Sequence, residues 1–194
     1  MSLHIKDRPA LILIGIQKGF DNIEYWGEER NNPDAERNAS ELLKLWRKNG
    51  LPILHIKHCS ADPSSPLNEK NSGNEFKDLV KPEENEIVIR KYVNSAFIGT
   101  KLQEVLLQLQ VTNLVIIGLT SDHCVSTTAR MAGNFGFETF LISDATATFN
   151  RKGLHGENYS AEFIHRTALA SLDQEFGIVI STLVLKNMLF IKDY

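Results

Sequence analysis

Six short apolar runs, at residues 10–14, 53–56, 87–89, 114–117, 140–142 and 178–180, constrain the fold more than any other feature of the chain. Residues 10–14 are continuously apolar and the other runs are similar, with His55 interrupting the second, which suits buried strands. Between them lie stretches with helical spacing: Ala35, Ala39, Leu42, Leu43 and Trp46 in one, and Leu102, Val105, Leu106 and Leu109 in another. Thr100 with Gln103 offers a capping box for the second of these. A third helix is predicted over residues 125–132, ended by Gly136, and a fourth over residues 161–176. Strand alternating with helix predicts an α/β fold, with helices on both faces of a six-stranded, mostly parallel sheet. At 194 residues, 42% of them hydrophobic, the chain suits a single domain spanning residues 1–194. Ligands in such sheets bind beyond the carboxyl ends of the strands.

Charge and cysteine content exclude several classes of function. A net charge of −3, with both signs spread along the chain, leaves no basic stripe for nucleic acid. The apolar runs are too short to cross a bilayer. Without a charged-then-apolar opening segment, a cytoplasmic setting is expected, in which Cys59 and Cys124 stay free thiols. Two long connections, residues 57–84 and 146–160, stand out. The second, with Gly153 and Gly156, is expected to cover the site as a lid, with plain surface insertion the alternative. The tail, residues 181–194, is too apolar for a free terminus and should dock on its own core or on a second subunit.

Chemistry concentrates where the fourth apolar run ends, in the segment Gly118, Leu119, Thr120, Ser121, Asp122, His123, Cys124. Asp122 is a plausible N-cap, which places Cys124 in the first turn of the following helix. Backbone N–H groups there lack intrahelical partners and carry the positive end of the helix dipole, so they favour a thiolate and can hold an oxyanion. The competing reading is a buried structural cysteine.

Three segments together give the chain a resemblance to the isochorismatase-like cysteine hydrolase superfamily, which includes nicotinamidases and N-carbamoyl amidases. The first runs Leu11, Ile12, Leu13, Ile14, Gly15, Ile16, Gln17 to Phe20. The second is Lys91 followed by Ser95, Ala96, Phe97, Thr100 and Leu102. The third is the Cys124 junction with Gly118, Thr120, Val125, Thr128, Ala129 and Arg130, and Asp144 and Ala145 closing the next strand. The resemblance implies a Rossmann-like strand order in a three-layer α/β/α sandwich, with Cys124 as nucleophile and Lys91 beside it. It further implies a cis peptide between Leu119 and Thr120, and an oxyanion site formed by the N–H groups of Thr120 and Cys124.

The family's first-strand Asp, its proton shuttle, is replaced by Gly15. General acid–base help is typically worth about 10²–10⁴ in rate, so the loss is severe unless another group substitutes. Asp21, Glu24, Asp122 or a water over Gly15 are the available substitutes. Vinyl-ether hydrolysis depends on the Asp more than on the cysteine, so Gly15 argues against it. Metal is not expected: the region after the second run offers His55 and His58 without Asp-x-His, and three residues apart on a strand they point to opposite faces. No cofactor is expected either, since Gly15 and Gly19 do not form a dinucleotide-binding turn. Phe20, Tyr25, Trp26, Asn94 and Phe97 could wall a small-molecule cleft, with ordinary packing equally open for Trp26 and Phe97. His165 with Glu162 reads as a surface or interface pair. Two functions follow: a cysteine hydrolase acting on a small amide or related C–N bond, or an inactive family member that binds a small molecule. Either would be a homo-oligomer, dimer or tetramer.

Overall fold

A computed structural model describes residues 3–190 of the chain. All six apolar runs become strands of one sheet: β1 (Ala10–Ile14), β2 (Ile53–His58), β3 (Ile87–Lys91), β4 (Asn113–Leu119), β5 (Glu138–Ala147) and, after a two-stranded hairpin of β6 (Arg151–Lys152) and β7 (Asn158–Tyr159), β8 (Ile178–Ile180). Their order is β3-β2-β1-β4-β5-β8, and every pair is parallel. β1 and β4 are buried along their whole length, which is why they read as unbroken apolar runs. Strand order reverses between them, and the crevice at that switch point is where such sheets place ligands.

Alternate residues of each strand feed two cores. Ile12, Ile14, Leu54, Ile56 and Ile116 pack under α3 (Leu102–Gln108) and α4 (Ser126–Asn134), in a cluster that contains Cys124. Leu11, Leu13, Val115, Ile117 and Phe140 pack under α2 (Ala35–Lys48) and α6 (Thr182–Phe190). The two remaining helices are a short α1 (Ile23–Trp26) and α5 (Ala161–Ala170). The C-terminal segment docks on its own core through Leu185 and Leu189, while Leu183 is 68% exposed; the last four residues of the tail lie outside the described residues.

Helix ends depart from the expectations. Thr100 does not form a capping box; its hydroxyl accepts from the Leu102 N–H and donates to the Ala96 carbonyl, and the cap position is Lys101. The fourth helix stops at Ala170 and not at residue 176. Leu172 turns into the core, Gln174 takes a left-handed conformation, and the Asp173 carboxylate accepts from Val179 N–H to start β8. The loop over residues 57–84 is built on its own hydrogen bonds, with Asn74 donating to the carbonyls of His58 and Leu67.

Gly118 allows the two central strands to meet. A Cβ there would lie 1.9 Å from the Ile14 carbonyl oxygen, at a backbone φ of +126°. Gly50 has an equally permissive φ but open space around it. Gly118→Ala should therefore cost more than about 4 kcal/mol in urea unfolding, against about 1 kcal/mol for Gly50→Ala. Equal costs would show that the β1–β4 contact is not tight.

Candidate active site

Lys91 is the last residue of β3, and the β2–β3 register sets it opposite His58, the last residue of β2. Partners in a parallel register share a face, and here it is the face under α4. Both side chains therefore point toward the segment that follows β4. That segment, Ser121–Val125, is a single wide turn ahead of α4, in which the Thr120 carbonyl accepts the N–H groups of both His123 and Val125. Single π-type turns of this kind recur at functional sites. Cys124 lies in this first turn, as expected, and the Leu119–Thr120 peptide is cis.

The three side chains meet. Lys91 Nζ lies 3.0 Å from Cys124 Sγ, 2.8 Å from His58 Nδ1 and 3.0 Å from the Val93 carbonyl oxygen. The thiol faces Asn94 Oδ1 at 3.7 Å. Lys91 is 0% exposed and Cys124 8%, with Asn94 and His123 exposed beside the sulfur. Burial pushes the Lys91 ammonium below its ordinary range, and the charge of Cys124 opposes that shift. Burial, with the Lys91 charge, lowers His58 to about 4, so its ring is neutral at pH 7 and Nδ1 accepts the lysine N–H. Cys59, the other free thiol, is raised by burial and by Glu69.

Gly15 follows β1 with φ +60°, and a Cβ built on it would meet Leu119 O at 3.0 Å and Phe20 at 3.7 Å. It thus faces the turn that precedes Cys124. Two residues on, Gln17 is fully buried and clamps the end of β2: its amide donates to the His58 and Asn74 carbonyls and accepts the His58 N–H. Phe20 and Trp26 belong to an aromatic group with Phe149, with ring centroids of Phe20 at 4.6 Å and 6.1 Å from the other two, packed on Leu119 and Ala147. Trp26 donates its indole N–H to the Gly19 carbonyl, and Tyr25 is exposed at its edge. Phe97 instead packs against Phe135 and Phe137, inside the core under α3 and α4.

The acids offered as substitutes for the missing Asp are engaged elsewhere or exposed. Asp21 pairs with Lys77 at 2.5 Å, and Glu24 is exposed on α1. Asp122 is not the N-cap; that position is Thr120, and no side-chain cap bond forms. The Asp122 carboxylate turns to the β6–β7 hairpin, accepting from Thr148 Oγ1 and from Arg151, which also donates to the Trp26 carbonyl. Burial alone would raise Asp122, but the Thr148 hydroxyl with His123 and Arg151 lowers it. This latch makes the base of the hairpin a fixed wall, Phe149 being wholly buried, while the tip at Leu154 is 99% exposed. His165 is not a surface residue either. It is buried, its pKa is lowered by that burial, and its Nδ1 is 3.0 Å from Ser121 Oγ, beneath the Cys124 turn. Its neighbour Glu162 accepts from Asn31.

This constellation, at the carboxyl ends of parallel strands and beside the switch point, defines a cysteine-centred site in a three-layer α/β protein. The isochorismatase domain model matches residues 9–183, and the chain belongs to that family. It is 47% identical over 178 residues to the uncharacterized isochorismatase family protein YrdC of Bacillus subtilis strain 168, covering 92% of this chain and 94% of that protein. The crystal structure of an isochorismatase-family protein from Chromobacterium violaceum superposes with a TM-score of 0.91 at 39% identity, covering 97% of each chain. Nicotinamidase 3 of Arabidopsis thaliana is 28% identical over 159 residues, covering 74% of this chain and 75% of that protein.

The depressed His58 makes a pH prediction. Folded His58 stays neutral down to about pH 4, whereas an unfolded histidine protonates near 6.5, so between these values the unfolded chain holds more protons. Stability from this group is complete above pH 6.5 and falls as pH drops toward 4, by about 2 kcal/mol after allowance for its partial exposure. Urea unfolding of the parent and of His58→Asn across pH 7 to 4.5 should show a shallower slope in the variant. Identical slopes would mean that His58 titrates normally.

Proposed function

We propose that the chain is a cysteine hydrolase that cleaves the C–N bond of a small amide through a thioester on Cys124. The observation that carries the reading is the 3.0 Å contact between the Lys91 ammonium and the Cys124 sulfur at the first turn before α4. A buried ammonium favours an anionic neighbour, and the thiolate is the nucleophilic form of cysteine. In this reading the Thr120 and Cys124 N–H groups receive the oxyanion, and Phe20, Trp26 and Phe149, with Asn94 at the sulfur, flank the acyl group. Amides are favoured over vinyl ethers because Gly15 stands where the family carries the Asp, and the similarity to a nicotinamidase points the same way. We also read the chain as a homo-oligomer, supported by the outward-facing Leu183 and Phe190 of α6. Gly15 supports a second reading, a binding protein that keeps the site without turnover.

Exposure to p-nitrophenyl acetate separates the two. A hydrolase should release p-nitrophenol well beyond one equivalent per chain, a release lost in Cys124→Ala; release that stops at one equivalent or less would leave the binding protein. Gly15→Asp, assayed on a panel of small primary amides, should raise turnover by about 10²-fold. It should also lower stability by about 1 kcal/mol, because an L side chain is strained at a left-handed φ. If turnover does not rise, Gly15 is not the vacated shuttle position.

A further inference from the structure

We propose that Lys91 itself carries the proton through the reaction, taking over the task of the missing carboxylate, and that His58 is the positioning residue that aims its lone pair. The inference rests on the hydrolase reading above and concerns how this chain completes that reaction without an acid at position 15.

The argument begins with a count of hydrogen bonds at Nζ. An ammonium has three N–H donors and no acceptor, and Lys91 finds three acceptors: His58 Nδ1, the Val93 carbonyl and Cys124 Sγ. None is a carboxylate. Among the described residues, the groups that raise Lys91 toward its charged form are sulfurs, Cys124 first and Cys59 after it. A buried ammonium without a counter-charge is costly, so the form of the site that reacts is the ammonium–thiolate pair, in which the thiol proton has passed to Lys91 across the 3.0 Å contact.

Attack then changes the balance in the useful direction. The sulfur lone pair forms the S–C bond, the amide carbonyl becomes the oxyanion, and the anionic charge beside Lys91 is consumed. What remains acting on the lysine is the burial that lowers it, so it releases a proton when the leaving nitrogen needs one. Collapse of the oxyanion breaks the C–N bond, and the amine departs with the proton from Nζ. Lys91 is left as a neutral amine with two N–H groups and a lone pair. The two acceptors fixed in place, His58 Nδ1 and the Val93 carbonyl, hold those two hydrogens, which turns the lone pair toward the acylated sulfur. There it removes a proton from water as the water oxygen bonds to the acyl carbon. The second tetrahedral intermediate expels the thiolate, Lys91 is again an ammonium, and the product leaves as the acid. Atoms and protons balance with no group beyond those named.

His58 can serve only while its Nδ1 is an acceptor, and its surroundings keep it so. The charged group facing it is Lys91 on β3; Gln17, from the loop after β1, and Asn74, from the loop after β2, engage its backbone and leave the ring free. An Asn at this position keeps an acceptor oxygen near the place of Nδ1, whereas a Leu removes it.

Release of the acyl group tests the proposal without a known substrate. Each protein is S-acetylated with p-nitrophenyl acetate at alkaline pH, where a variant cysteine also reacts, then exchanged to neutral buffer, and loss of acetyl from Cys124 is followed by intact mass. The parent should deacetylate about 10²-fold or more faster than Lys91→Met, within the range of general base catalysis. His58→Leu should be slowed about tenfold, with the acid limb of its pH–rate profile displaced, and His58→Asn should stay close to the parent. Equal deacetylation of the parent and Lys91→Met would overturn the inference while leaving the Cys124 thioester intact. A His58→Leu protein with an unchanged rate and profile would remove His58 from it. Failure of the parent to acetylate at Cys124 would instead sink the hydrolase reading beneath it.

Discussion

An ammonium with no exposed surface, set against a sulfur in the apolar layer between sheet and helix, is the interaction on which the site depends. Charge in such a place is tolerated only when hydrogen bonds and a counter-charge compensate it. Lys91 donates hydrogen bonds to His58 and Val93, and Cys124 is the neighbour able to supply the charge. Burial and the sulfur push the lysine in opposite directions. That opposition makes its protonation responsive to what happens at the sulfur, a property a surface lysine lacks.

The fold supplies the contact through register and close approach. Parallel pairing of His58 with Lys91 puts both on one face, and the turn after β4 presents Cys124 to that face. The absence of a side chain at Gly118 lets β4 lie against β1, so that the Cys124 turn and the loop carrying Gly15 and Gln17 meet at the switch point. Gln17 then ties the end of β2 to the same loop. Behind the turn, Asp122 holds the hairpin through Arg151, and His165 supports Ser121, so the segment around Cys124 is fixed from two sides.

Much of this is legible in the sequence because burial on both faces leaves an unbroken apolar run, as at β1 and β4; the edge strands β3 and β8 are only partly buried but carry short runs of the same kind, and all six pair in parallel. Lys91 and Cys124 stand out in their motifs, and the first-turn placement of Cys124 holds although the cap position is Thr120 and not the expected Asp122. Phe20 and Trp26, which the sequence offers as cleft walls, lie in an aromatic group whose third ring, Phe149, belongs to no motif, and Phe97 packs in the core. Helix ends were poorly legible: Asp122 is drawn to Arg151, twenty-nine residues on, while at Thr100 and after Ala170 a competing local hydrogen bond, to the Ala96 carbonyl and from the Val179 N–H, displaces the expected cap or periodicity. In sequence His58 reads only as half of a pair with His55 that fails as metal ligands, because strand register is a relation between distant segments that no single motif encodes. The burial of His165 was hidden for the same reason, its partner Ser121 lying forty-four residues away.

The charge state of the sulfur is the most direct test of the account. The ultraviolet thiolate band, taken as the difference between the parent and Cys124→Ser at neutral pH, should be present in the parent background and lost when Lys91→Met replaces it. A difference spectrum with no thiolate band, or one indifferent to Lys91→Met, would contradict the pairing of ammonium and sulfur from which the rest follows.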